Sequence, residues 1–202
     1  MNHFKSHDIH SAPPDAKEDL KRIKLKRGSI PNVYAVMAEA PGLLKGHVAL
    51  KEQFEKATLS KKDRKMVLLT LSREIGSAYD TAVHSAAAEK HLVPMDVIES
   101  LRAGTALKDP KMEALRSFTA TLVATHGHVT EADIQAFLAA GYTRANILEI
   151  VLAAGGVTLA SYTNLIARPV LDAEFAAKVW KRASRPAQER RSGVAGARQQ
   201  HR

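Results

Sequence analysis

Cysteine is absent from the 202-residue chain. Without a thiol there is no disulfide, no thiolate metal ligand and no sulfenate intermediate, so thiol redox chemistry of the chain's own is excluded whatever its fold. Aromatic residues are scarce as well, at 5%. Alanine and leucine are plentiful instead, which favours close helix–helix packing over β-sandwich packing, where aromatic and β-branched side chains dominate. No apolar run reaches the ~20 residues that a bilayer requires. The longest, Ile150 to Ala160, contains Gly155 and Gly156 and reads as a buried helix. The first residues, Met1 to Pro14, are polar and His-rich, with no apolar segment of a secretory leader. A cytoplasmic location without a membrane partner is the expectation.

Positive charge is in excess, +9 overall, and its placement decides its meaning. Residues 1–30 carry +3 and residues 181–202 carry +6, so the segment 31–180 sums to zero. A neutral body with basic ends argues against a nucleic-acid surface, although the ends remain free to touch an acidic partner.

Apolar periodicity and capping signals divide the chain into about seven to nine helices with no alternating strand pattern, an all-α class. Residues 1–29 and 183–202 lack sustained periodicity and read as a mobile N-terminal arm and a basic disordered tail around one domain at 30–182. Inside it, Asn32 starts a short helix. Pro41 opens another, on which Leu43, Leu44, His47, Leu50 and Phe54 form one buried stripe. Ser60–Asp63, Thr130–Asp133 and Thr143 are helix starts, and Leu171-Asp172 leads into a last helix ending near Trp180. A weak repeat at an offset of eighty residues pairs Arg64 with Arg144, Leu68 with Leu148 and Gly76 with Gly156. It suggests two helix–Gly–helix units and sets Asn164 opposite His84.

Ser77, Asp80 and His84 recur at i, i+3 and i+7, so they share one face of an alanine-rich helix. Asp80 is in reach of His84 as an i, i+4 pair that would raise the imidazole pKa. Ser77 lies about 10 Å from His84 along the axis, at about 1.5 Å per residue, too far for a hydrolytic Ser–His pair. The same Ser77-Ala78-Tyr79-Asp80 sequence is a helix cap after Gly76, a purely structural reading. His84 is either an acid–base group or a satisfied core histidine. Lys65 is either a solvated charge or an anion-binding or acid–base group, and Tyr79 is read as a packing residue. No histidine spacing supports a metal, and no cofactor is expected.

The run from Ser60 to His91 resembles the core motif of the AhpD-like and carboxymuconolactone decarboxylase superfamily. The likeness extends from the Ile30-Pro31-Asn32-Val33-Tyr34 segment, with Pro41-Gly42-Leu43-Leu44, to Gly141-Tyr142-Thr143, Asn164 and Pro169–Asp172, covering about residues 30–178. In the peroxidase-related branch the motif is E-x11-C-x-x-C-x-x-x-H. Here Lys65 stands at the acid, Ser77 and Asp80 at the two cysteines, and His84 alone matches, with Tyr79 at a position that often holds tyrosine. The resemblance implies an AhpD-like helical fold, assembly into homotrimers or hexamers, and a pocket beside His84 that includes Tyr79. Two functions follow as expectations. One is a cysteine-free pseudoenzyme or oligomeric binding protein. The other is a cofactor-free acid–base enzyme, a decarboxylase or isomerase of a small carboxylate or lactone, using His84, Asp80 and Lys65. Both exclude peroxidase turnover, because a serine hydroxyl and a carboxylate have no sulfenate or disulfide states. Purified, metal-free protein with a dithiol donor is expected to consume peroxide no faster than heat-killed protein. A faster rate would overturn the exclusion.

Overall fold

A computed structural model describes residues 4–182. Among them are nine α-helices, one 3-10 helix and no strand. The helices are α1 (Pro14–Arg27), α2 (Asn32–Met37), α3 (Pro41–Phe54), α4 (Lys61–Ile75), α5 (Ala78–Lys90), α6 (Met95–Ala103), α7 (Pro110–Ala124), α8 (Glu131–Ala139) and α9 (Arg144–Ala167), followed by the 3-10 helix Ala173–Lys178.

Local chemistry places most of the helix ends. The Ser60 hydroxyl accepts from the Asp63 amide, the Ser77 hydroxyl from that of Asp80, and the Asp109 carboxylate from that of Met112. Thr130 with Asp133 and Thr143 with Asn146 form complete capping boxes. Each satisfies an amide that the helix itself leaves without an acceptor, an effect of about 1 kcal/mol. Gly76 ends α4 in the left-handed region at φ 88°, which lets the chain reverse into α5 within two residues.

α4 is the axis of the molecule. Met66, Val67, Leu69 and Leu71 are fully buried on it, and it packs against α5, α6, α7 and α9. Two apolar clusters result. The larger joins α4 to α6, α7, α8 and α9, with the rings of Phe118, Phe137 and Tyr142 in succession at 4.6 Å between centroids. The smaller gathers Ala16, Leu20 and Ile23 of α1 with Tyr34, Met37, Leu44, Val48 and Tyr79.

The second cluster corrects the reading of residues 1–29 as a mobile arm. Ala16, Leu20 and Ile23, at steps of four and three, bury one narrow face of α1. Ahead of the helix, His7 Nδ1 donates to the Ser11 carbonyl and Nε2 meets Glu39 at 3.2 Å, pinning the segment to the end of α2. The expected tail at 183–202 lies outside the described residues.

The segment after α9 is a 3-10 helix rather than the longer helix expected there. Arg102 donates to the carbonyls of Lys178 and Val179, and Trp180 Nε1 donates back to the Arg102 carbonyl at 3.0 Å. This segment therefore lies strapped across α5 and α6. The two glycines of the eighty-residue offset also do different work. Gly76 breaks the chain, whereas α9 runs unbroken through Gly156, whose missing Cβ would stand 3.6 Å from Leu50 Cβ of α3. α9 is one described helix long and apolar enough to cross a bilayer. Its buried face, from Ile150 through Ala153, Val157 and Ala160 to Asn164, is turned onto α3, α4 and α5, as in a core helix.

Candidate functional site

Asp80 is a buried carboxylate held by three side-chain donors. It is 4% exposed, and both carboxylate oxygens are engaged: Oδ2 accepts from Ser77 Oγ at 2.6 Å and Ser161 Oγ at 2.9 Å, while Asn164 Nδ2 reaches both oxygens at 3.0 Å. Burial pushes its pKa up, the hydrogen bonds from Ser77, Asn164 and Ser161 push it down, and burial wins. All of these donors are neutral. The carboxylate thus ties the first turn of α5 to the last turns of α9, and it makes no hydrogen bond or ion pair with His84. The expected i, i+4 pair is replaced by this network. The reason is directional, since a helical side chain leans toward the helix N-terminus, which carries the Asp80 carboxylate back to its cap at Ser77.

His84, one turn further along α5, faces a cavity of about 70 Å³ at the meeting of the two apolar clusters. Leu68, Val83, Val157, Ala160 and Phe175 supply much of its wall. The His84 ring has no hydrogen-bond partner among the described residues. Burial, followed by the positive charges of Lys51 and Lys65, lowers its pKa to about 3, the opposite of the rise expected from Asp80. It is a neutral imidazole with both ring nitrogens uncommitted. His47 of α3 also faces the cavity. Its Nδ1 donates to the Gly156 carbonyl at 3.0 Å, so the neutral ring keeps Nε2 as its acceptor. Burial first, and then Lys51, lowers its pKa to about 4.

Lys65 does not enter the cavity as a free cation. Its Nζ bonds Glu55 Oε1 at 2.6 Å, and Arg64 stands 3.9 Å from the same carboxylate. Burial works to raise the Glu55 pKa, but the Lys65 hydrogen bond and the charges of Lys65, Arg64 and Lys51 hold it below its usual value. Lys51 takes the place expected of Lys65: it lines the cavity and donates from Nζ to Tyr34 Oη at 3.1 Å. Tyr79 lines the cavity too. Its hydroxyl donates to Asp172 and accepts from the Val33 amide, while burial and Asp172 raise its pKa, so it latches α5 to the first turn of α2 and to the segment after α9. No group of three His, Asp or Glu side chains among the described residues is arranged to hold a metal.

The topology can be set beside known structures. An AhpD-core, uncharacterized peroxidase-related protein from Ralstonia eutropha JMP134 superposes with a TM-score of 0.73 at 21% identity, over 88% of this chain and 97% of its own. The chain has the AhpD-like fold. An uncharacterized peroxidase-related protein from Silicibacter sp. TM1040 shares that fold with a TM-score of 0.71 at 21% identity, over 86% and 94% of the two chains. So does a cysteine-to-alanine form of the debrominase Bmp8 in complex with 2,3,4-tribromopyrrole, with a TM-score of 0.72 at 13% identity, over 88% and 96%. No protein-family profile and no curated protein sequence matches the chain.

On this AhpD-like fold the structure brings His84, Asp80 and Tyr79 to the cavity wall and leaves Lys65 behind Glu55. Sequence reading placed His47 in a core stripe and passed over Lys51, Tyr34 and Arg27. The available signal was a histidine inside an apolar stripe with a lysine four residues on, one turn along the same face.

Both imidazoles are neutral in the folded protein and have an ordinary value of 6.5 when unfolded. Their folded pKa values are depressed, so below pH 6.5 the unfolded state takes up protons that the folded state does not, and stability falls with pH down to about 4 for His47 and about 3 for His84. Wild type is therefore expected to lose stability relative to His84→Phe across this window in pH-dependent urea denaturation. An unchanging difference between the two proteins would contradict a neutral His84 with a lowered pKa.

Proposed function

We propose that this chain is a cysteine-free protein of the AhpD-like and carboxymuconolactone decarboxylase family that binds a small molecule in the His84 cavity and has no thiol peroxidase activity. The observation that carries the reading is the half-buried, neutral His84 imidazole, without a protein hydrogen-bond partner among the described residues, facing a partly open, mostly apolar cavity. A ligand that displaces water from this ring regains the lost hydrogen bond only if it offers one of its own, so the ring selects for a polar atom at that point. The complex of a same-fold protein with 2,3,4-tribromopyrrole supports a small cyclic ligand. Loss of both cysteines and of the relay acid supports a role apart from peroxide reduction.

A second reading, acid–base catalysis on a small carboxylate or lactone, is favoured by the same ring. An imidazole that is hydrogen-bonded to nothing is placed to accept a proton from a bound substrate, and an anionic substrate would itself raise the ring's pKa from about 3 by offsetting the charges of Lys51 and Lys65. In this version His84 acts without orientation by Asp80, whose oxygens are committed to α9, and Lys65 takes no part, being paired with Glu55.

The proposal extends to self-association. Leu148, Val151, Tyr162, Leu165 and Ile166 are exposed large apolar residues of α9. Leu148, Val151, Gly155, Thr158, Tyr162 and Leu165 follow alternating steps of three and four, the spacing of a helix–helix seam, and the exposed Gly155 allows close approach. Thr158, Tyr162 and Ile166 continue into an apolar groove with Phe4 and Leu43.

Two experiments test these readings. Calorimetric titration with small aromatic and lactone acids should show binding to wild type that weakens at least about tenfold in His84→Phe, while His84→Ala abolishes any turnover. Absence of both binding and turnover in wild type would end the proposal. In sedimentation velocity, wild type is expected as a homotrimer or hexamer and Val151→Glu with Tyr162→Glu as a monomer. A monomeric wild type would remove the self-association.

A further inference from the structure

The His84 cavity has an outer chamber. A groove of about 620 Å³ on the surface of α1 and α3 shares Arg27, Tyr34, Lys51 and Glu55 with the cavity, so these four side chains form the boundary between them. The groove also carries Arg22, Lys26 and Lys56, against Glu52 as its other acidic residue.

Pairing decides which of these charges are available. Glu55 is occupied by Lys65 at 2.6 Å, and Arg22 by Asp19 at 3.0 Å. Lys51 bonds the neutral Tyr34 hydroxyl, and its ammonium also stands 5.7 Å from the Tyr34 ring centroid. The Arg27 guanidinium lies 5.7 Å from the same centroid. Neither Lys51 nor Arg27 makes a direct ion pair among the described residues, and the weaker pull of Lys51 on Glu55 is shared with Lys65 and Arg64. Two cations gathered beside one aromatic ring at the rim of a cavity raise the local positive potential, and an anion bound there lowers it. Their field already reaches inward, since Lys51 and Arg27 both disfavour protonation of His84 and His47.

We infer that Arg27 and Lys51, both beside the Tyr34 ring, are the anion-recognising pair at the mouth of the cavity, and that the ligand is a small carboxylate whose apolar body enters toward His84. The inference rests on the small-molecule reading given above and adds the side chains that recognise the ligand's charge and the orientation in which it enters. The carboxylate stays outside because the inner histidines are neutral and the walls are largely apolar, so a charge carried inward would lose its water without gaining a cation. The guanidinium fork takes a carboxylate or a phosphate, but a monoanion beside the carboxylate of Glu55 is repelled less and loses less hydration than a dianion. The remaining unpaired lysines, Lys26 and Lys56, raise the local concentration of anions.

Isothermal titration with benzoate, its neutral counterpart benzyl alcohol, and phenyl phosphate separates the possibilities. Expected are benzoate affinity at least tenfold above both other probes, a tenfold or greater loss in Lys51→Met, a smaller loss in Arg27→Met, and unchanged benzyl alcohol binding in both variants. Circular dichroism confirms folding. Arg27 is exposed, so Arg27→Met and the salt dependence of wild-type binding remain informative if Lys51→Met does not fold. Equal affinity for benzoate and benzyl alcohol overturns the anion pair while leaving the cavity as a binding site. Tighter phenyl phosphate overturns the carboxylate assignment. No binding by any probe overturns this inference and the reading beneath it together.

Discussion

The arrangement of the site depends on one buried carboxylate with no cation beside it. Asp80 sits where a helix begins and accepts hydrogen bonds from Ser77 on its own cap and from Ser161 and Asn164 on α9. A carboxylate in such a place would be strongly destabilising if any one donor were missing, because burial already disfavours its charge. Satisfying it therefore constrains the relative position and rotation of α5 and α9. Gly156, which brings α9 against Leu50 of α3, constrains the other side. The cavity is the space these three helices leave between them, and its size follows from those contacts.

The same network explains why His84 is free. Its candidate partner one turn back is fully occupied elsewhere, and the nearby cations make protonation unfavourable. The cavity is thus neutral and apolar within and positive at its mouth, where Arg27 and Lys51 flank Tyr34. That polarity differs from a redox relay, in which an acid, a histidine and two thiols pass protons among themselves. Here Lys65 is neutralised by Glu55 at the end of α3. Each of three polar side chains has a structural partner: Ser77 caps, Asp80 bridges and Lys65 pairs.

Much of the fold was legible because helix boundaries are local. Ser60 with Asp63, Ser77 with Asp80, Thr130 with Asp133, and Gly76 all act within three or four residues of themselves, so their pattern reveals their role. α1 was missed because Ala16, Leu20 and Ile23 are separated by charged residues, and three modest apolar side chains make a face only when α2 and α3 lie beneath them. The 3-10 helix was read as longer because the bonds from Arg102 that set its course come from α6. At the site, the capping role of Ser77 and the special place of His84 could be read, whereas Asp80 turning to α9 and Lys65 turning to Glu55 are tertiary choices. The offset repeat did point to Asn164, and its partner proved to be Asp80 rather than a space opposite His84.

The central claim is that Asp80 is energetically coupled to α9 and not to His84. Double-mutant cycles in urea denaturation at neutral pH, pairing Asp80→Asn with Asn164→Ala and separately with His84→Ala, measure both couplings directly. The structure calls for an interaction of about 1–3 kcal/mol in the first cycle and additivity within about 0.5 kcal/mol in the second. Additivity with Asn164→Ala together with strong coupling to His84→Ala would contradict it.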